Sequence, residues 1–401
     1  MHVLSLVLAL SLPAAAESTA PVRGVHLTAW VAGSGKDRRA FLDKASGTLV
    51  NAVVVPVKEY DGRVYIPGVA SAQSMGTARH AIPDPKGLVA DIKARGLRPV
   101  ARVVVFKDDT LARKRPEWAV QDSSGGIWTN MNGVAWVDPY RKEVWDYNIE
   151  VAVAAARAGF EEIQFDYIRF PSDGAISRCR YSVAHTTSGA GAALSAFFER
   201  ARQHLDREGV AMSAAVFGLT TTARDDMGIG QKLAKMTALL DAVSPMMYPS
   251  HYAKGEYGLA DPNAEPYKII SWGLRDAKRK LGGVEKLRPY LQDFSLGRRY
   301  GVFEVRAQLR AARRQGVESW ILWNPLNRYT WEALKPFTEA ELVPVPGEDE
   351  PPAKRAPRGR SMPAKLSDQP AVSSGTVSIP AAAPPLPTDS ELKALQEPEE
   401  L

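Results

Sequence analysis

Eight apolar, β-branched runs recur along residues 22–330 of the 401-residue chain. They are VRGVHLTAWV (22–31), VNAVVVPV (50–57), RPVARVVVF (98–106), EEIQFDYIRF (161–170), VAMSAAVFG (210–218), AVSPMMYP (242–249), LRPYLQDF (287–294) and SWILWNP (319–325). Near-continuous apolar runs of this length suit parallel strands covered on both faces. Stretches of helical periodicity separate most of them. KGLVADIKARG precedes the third run, YRKEVWDYNIEVAVAAARAG the fourth, ALSAFFERARQHLDREG the fifth, IGQKLAKMTALLD the sixth and VFEVRAQLRAARRQG the eighth. Several end in Gly just before the next run, as a helix C-cap favours. Eight such units predict an α/β fold, a (β/α)8 TIM barrel. An open doubly wound sheet is the competitor, but no G-x-G-x-x-G follows the first run. AGSGKD at 32–37 is not a P-loop, because Trp30 replaces its first Gly and Asp37 its Ser/Thr.

The two ends read differently. Residues 3–12 are apolar and lead to Pro13, Ala14, Ala15, Ala16 and Glu17. That run is too short to span a bilayer. The A-x-A ending predicts a signal peptide over 1–16 and export to the periplasm or beyond, although the n-region carries no Lys or Arg. From Pro344 to Leu401 there are 12 Pro and no aromatic residue. Such a segment cannot bury enough apolar surface to offset its ordering entropy, so 344–401 is expected to be a disordered Pro-rich tail. The barrel domain is expected over 17–343.

Composition narrows the chemistry. One cysteine, Cys179, rules out an intrachain disulfide framework and any multi-Cys metal site. The six histidines form no close metal pair, so neither a metal nor another cofactor is expected. The tail carries 6 basic and 9 acidic residues, so the rest of the chain has 45 basic against 36 acidic, a net of +9. This charge forms no clustered stripe, and nucleic acid is not an expected partner.

In a barrel the active site lies at the C-terminal ends of the strands. Those ends carry Trp30, then Lys58, Glu59 and Asp61, then Lys107, Asp108 and Asp109. Asp166 and Arg169 follow on the fourth run, and Tyr248, His251 and Tyr252 on the sixth. Gln292 and Asp293 end the seventh, and Trp323, Asn324 and Asn327 the eighth. Carboxylates and aromatics thus crowd one rim, the mix that sugar-cleaving sites use. On the fourth run, Ile163, Phe165 and Tyr167 alternate with Gln164, Asp166 and Ile168. The second set is expected to face the barrel interior, with Asp166 above Gln164 at the mouth. A carboxylate in an apolar strand is costly unless paired or functional. Arg169 is the expected partner; a plain Asp–Arg or Asp–Tyr brace is the structural alternative. Asp293 reads equally as a strand-end cap. Glu59 lies in KEYDG, a good turn sequence, which favours a solvated turn. Trp30, Tyr248 and Trp323 are balanced between core and sugar stacking. His26 reads as interior packing.

Eight stretches carry a resemblance: RGVHLTAW, NAVVVPVKEYDG, WVDPYRKEVWDYNIEVA, EEIQFDYIRFPSDG, DDMGIGQ, VSPMMYPSHY, RPYLQDF and ESWILWNPLNRY. In this order they resemble a large family of bacterial glycosyl hydrolase-type (β/α)8 barrels, often exported, over roughly residues 22–335. The resemblance implies a carbohydrate-active barrel with Asp166 as the central carboxylate. It also implies an Asp near the end of strand two and another in strand five before an FG pair. Here those positions are Pro56 and Ala215.

The leading expectation is an exported glycoside hydrolase acting on a polysaccharide. Asp166 would be nucleophile or base, and Asp293 or Glu59 the proton donor. Lys58, Arg169, Tyr248, His251 and Asn324 would orient the sugar, and Trp30 and Trp323 would stack on it. The alternative, motivated by Pro56 and Ala215, is a barrel that binds glycan without cleaving it. A phosphate- or metal-using barrel is a third reading, disfavoured by the missing glycine-rich loop and histidine pairs.

Overall fold

Eight parallel strands close on themselves. They are β1 (Arg23–His26), β2 (Ala52–Lys58), β3 (Arg98–Val104), β4 (Glu162–Asp166), β5 (Ala211–Phe217), β6 (Ala242–Met246), β7 (Tyr290–Gln292) and β8 (Trp320–Trp323). The structure, a computed structural model, describes residues 20–343 and Gly347. Each strand pairs with its sequence neighbours, and β1 pairs with both β2 and β8 to complete the closed barrel. The expected signal peptide and, apart from Gly347, the Pro-rich tail lie outside the described residues.

Among the described residues, seven outer helices return the chain between strands: α1 (Gly35–Ser46), α2 (Pro85–Lys93), α3 (Lys142–Arg157), α4 (Thr187–Leu205), α5 (Leu233–Ala238), α6 (Pro266–Leu281) and α7 (Val302–Arg314). The eight apolar runs and eight strands coincide, so this is the (β/α)8 architecture that the pattern predicts. The first run is longer than its strand. The chain leaves the sheet after His26 and turns into a short helix, Ala29–Gly33, that carries Trp30. AGSGKD is a helix start, with the Ser34 side chain accepting from the Asp37 amide at 3.4 Å.

The pleat sorts side chains between two layers. Ile163 and Phe165 of β4 join the main core between sheet and helices, where the Phe165 ring lies 5.0 Å from that of Phe197 on α4. Glu162, Gln164 and Asp166 form a polar column up the barrel interior. At the bottom, Glu162 accepts from Arg288 Nη1 at 3.0 Å and from Ser213 Oγ at 2.5 Å. Burial opposes the charge on Glu162, but Arg288 and Ser213 outweigh it and hold its carboxyl below the usual range. In the middle, Gln164 donates to Ser244 Oγ at 3.3 Å and accepts from the Tyr290 hydroxyl. Asp166 caps the column at the C-terminal mouth.

Candidate active site

The mouth is organised by a residue that the apolar pattern concealed. Arg102 points inward from β3 and is 3% exposed. Its Nε and Nη2 reach Asp166 Oδ2 at 2.8 and 2.7 Å, while Nη1 reaches Glu59 Oε1 at 2.6 Å. One guanidinium thus holds two carboxylates side by side, and its own proton is bound more firmly than usual against the pull of burial. Arg102, not Arg169, is the ion-pair partner of Asp166. The correction follows from the pleat: residues 102 and 166 both point into the barrel on adjacent strands. Arg169 instead donates through Nη1 to Phe170 O at 3.2 Å and Ser172 Oγ at 2.7 Å.

Two local features deliver the carboxylates. The β2–β3 register shifts between Pro56 and Lys58, and this bulge breaks the alternation just before Glu59. KEYDG then turns tightly, with the Gly62 amide donating to Glu59 O at 2.9 Å and Gly62 at φ +82°. A Cβ at Gly62 would lie 1.9 Å from Asp108 Oδ1, so glycine is required there. KEYDG is therefore a turn, yet Glu59 is only 5% exposed. Burial pushes the Glu59 carboxyl above its usual range despite the opposing pull of Arg102. On β4, the chain enters the left-handed region at Tyr167 (φ 48°), an uncommon place for a bulky residue. The Tyr167 amide donates to Asp166 Oδ1 at 2.6 Å, so the strained turn fixes the carboxylate.

Aromatic and cationic groups surround this centre. The Trp323 ring lies 5.3 Å from the Arg102 guanidinium and 4.1 Å from the His26 ring. Tyr248, Tyr290, Trp323 and Ala215 share the small apolar cluster inside the barrel. Tyr248 contacts His251, whose ring centroid is 5.3 Å away, and burial lowers His251 to about 4, so its imidazole is neutral at physiological pH. Lys107 stands over the rings of Tyr60 and Tyr167 at 4.8 and 5.0 Å. Burial, then repulsion from Arg169, brings its ammonium down to about 8. His26 is fully buried and both ring nitrogens lack a partner, which fits interior packing beneath Trp323.

Four expected site residues do not join this centre. Lys58 is fully buried in an ion pair with Asp108 at 2.7 Å and donates to Val104 O at 2.6 Å. It supports the β2–β3 edge beneath Tyr147, whose ring is 5.7 Å away. Both oxygens of Asp293 are taken by Thr330, through its amide at 2.8 Å and its hydroxyl at 2.6 Å. Burial raises the Asp293 carboxyl to about 6 against the two Thr330 hydrogen bonds. Asn324 is spent on the loop after β8, accepting from Leu326 N at 2.9 Å and donating to Arg328 O at 2.8 Å. Trp30 is 45% exposed and packs on Tyr65 and Arg79 rather than on the Arg102 cluster. Among the described residues, no group of three or more His, Cys, Asp or Glu is arranged to hold a metal. No helix among them is long and apolar enough to cross a membrane.

Comparison with solved structures places this geometry in context. The glycoside hydrolase domain of PgaB (BpsB) from Bordetella bronchiseptica superposes with a TM-score of 0.61 at 14% identity, covering 79% of this chain and 100% of that one. Alpha-L-fucosidase isoenzyme 2 from Paenibacillus thiaminolyticus gives 0.54 at 14% identity, covering 80% of this chain and 48% of that one. Both likenesses are of fold. A hypothetical protein from Ruminiclostridium thermocellum is 33% identical over 51% of this chain and 98% of its own, with a TM-score of 0.43. No curated protein matches the sequence. The family described as "Putative glycosyl hydrolase domain" matches residues 24–329, which span β1 to the loop after β8. The chain belongs to that glycosyl hydrolase domain family.

Proposed function

We propose that the protein is an exported glycoside hydrolase that cleaves glycosidic bonds in a polysaccharide, with Asp166 as its central carboxylate and Glu59 as the second. The observation that carries this reading is the pair of buried carboxylates at the barrel mouth, one guanidinium apart, on Arg102. Glycoside hydrolysis needs two such groups flanking the bond. Asp166, oriented by Arg102 and the Tyr167 amide, is suited to act as nucleophile or base. Glu59, with its raised carboxyl, is suited to give a proton to the leaving oxygen. Trp323 and Tyr248 form the buried aromatic wall beside the pair, and neutral His251 offers a hydrogen-bonding ring to sugar hydroxyls. Family membership supports a carbohydrate substrate. Export rests on the character of residues 1–16. Release of new reducing ends from a panel of polysaccharides, with Glu59→Gln and Asp166→Asn beside the natural chain, tests the assignment.

A second reading, glycan binding without cleavage, is favoured by one specific feature. Both carboxylates are engaged by Arg102, and Ala215 contributes only a methyl group where the family resemblance implies a third. Under that reading the natural chain binds oligosaccharide and releases nothing, and Ala215→Asp gains hydrolysis.

A further inference from the structure

Lys107 and Arg169 are buried cations that make no direct ion pair among the described residues, although Asp166 and Asp173 attract both through space. Lys107 follows β3 at 6% exposure and Arg169 follows β4 at 1%. Both pack on the ring of Tyr167, with the Lys107 ammonium 5.0 Å and the Arg169 guanidinium carbon 5.2 Å from its centroid. Trp136 lies against Arg169 at 5.0 Å. Arg169 spends Nη1 on Phe170 O and Ser172 Oγ. Its Nε is buried with no acceptor. Neither its Nη2 nor the Lys107 ammonium has a hydrogen-bond or ion-pair partner among the described residues. The nearby carboxylates make their direct contacts with other groups. Asp166 and Glu59 are held by Arg102, and Asp173 accepts from the Met131 amide at 3.3 Å.

Burial opposes both charges and Arg169 repels Lys107, and the through-space pull of Asp166 and Asp173 only partly offsets that cost in the empty site. Binding of an anion there relieves that cost. The free edge of Arg169 is the Nε–Nη2 edge, whose two parallel N–H groups match the two oxygens of a carboxylate. We propose that Lys107 and Arg169 form a subsite for a sugar carboxylate, so that the substrate is an acidic glycan of the uronic acid type. The carboxylate would sit on the Nε–Nη2 edge of Arg169 with Lys107 completing the contact, beside the Asp166 and Glu59 pair. This inference rests on the glycan reading above and narrows it to one class.

Calorimetric titration of the full chain tests it, using matched pairs: oligogalacturonate against oligogalactose, oligomannuronate against oligomannose, and hyaluronan fragments against their carboxyl-reduced forms. At least one acidic member should bind about 10-fold or more tighter than its neutral partner, because a fully desolvated charge pair carries that much discrimination. Lys107→Met should erase that margin and leave neutral binding within about 2-fold. Arg169→Gln should do the same, and Lys107→Met stands alone if that variant fails to fold. Equal binding within every pair overturns the inference, as does an equal loss of acidic and neutral binding in Lys107→Met. Tighter binding of sulfated galactose oligomers than of any carboxylated one overturns the carboxylate assignment. If neutral members bind and are cleaved without preference for acid, the acidic subsite falls and the hydrolase reading stands. If no member binds at all, both fall.

Discussion

Arg102 and Asp166 face one another across adjacent barrel strands, and two guanidinium nitrogens converge on the single oxygen Oδ2 at 2.8 and 2.7 Å. The third nitrogen turns to Glu59, so the two carboxylates are spaced by the cation between them. Without that cation, two buried carboxylates would repel one another and lose their fixed spacing.

Replacing Arg102 should therefore affect both folding and function. Arg102→Met leaves two buried carboxylates uncompensated and should cost about 3–5 kcal/mol of stability, read as a lower urea midpoint. Activity of the folded fraction should fall about 100-fold, the scale of losing a catalytic alignment. Arg102→Lys keeps the charge and loses the fork, so it should recover most of the stability and little of the activity. Wild-type turnover in Arg102→Met would contradict the clamp.

Asp293 is predicted to matter to pH and not to catalysis. Its carboxyl is raised to about 6 by burial, so the folded chain holds a proton there more tightly than the unfolded chain does. Stability from this group is complete below the unfolded value near 4 and is lost as pH climbs through about 6, a change of up to about 3 kcal/mol. Asp293→Asn should flatten the thermal-unfolding profile across that window and leave activity within about 3-fold. Loss of activity by Asp293→Asn at unchanged stability would make Asp293, and not Glu59, the proton donor.

Glu59 should set the alkaline limb of the activity profile. A general acid must carry its proton, so activity should decline as pH rises through the raised value of Glu59. Glu59→Gln should abolish that limb together with most of the rate. Substrates with an activated leaving group, which need no proton, should be rescued preferentially. An unchanged alkaline limb in Glu59→Gln would remove it from the role.

Lys58 is predicted to act purely in folding. Its pair with Asp108 is fully buried, so Lys58→Met should strand the Asp108 charge and cost about 3–5 kcal/mol. Oligosaccharide affinity of the folded protein should not change. A weaker Kd at unaltered stability would return Lys58 to the binding site.

Much of this architecture is legible in the sequence because each strand is an apolar run and five of the seven return helices lie where helical periodicity is read; Gly35–Ser46 and Pro266–Leu281 are the two it leaves out. The eight runs map onto eight strands, and the period-two reading of residues 163–166 places Asp166 above Gln164 at the mouth; Ile168, expected inward, instead joins the main core because the strand ends at Asp166 and the chain turns at Tyr167. Side-chain partners are less legible. Arg102 sits in RPVARVVVF, where the run reads as plain strand, although a charge at an inward position carries the same signal that singles out Asp166. Which cation meets Asp166 depends on register across β3 and β4, and spacing along one run does not encode it. Lys58 escapes its expected role through a bulge, a one-residue shift with no strong sequence mark. Asp293 and Asn324 show the converse. Polar residues at strand ends are needed both for chemistry and for tying down loops, and only their partners tell the two apart.

The central claim is that the Asp166 carboxylate performs hydrolysis at the barrel mouth, and the direct test is reducing-end release by the natural chain and by Asp166→Asn on the same panel of acidic and neutral polysaccharides. The account predicts activity in the natural chain on at least one acidic glycan and a loss of about 100-fold or more in Asp166→Asn, since removing a nucleophile or base costs at least that. Equal activity in the two proteins, or binding by the natural chain without any release, would contradict it.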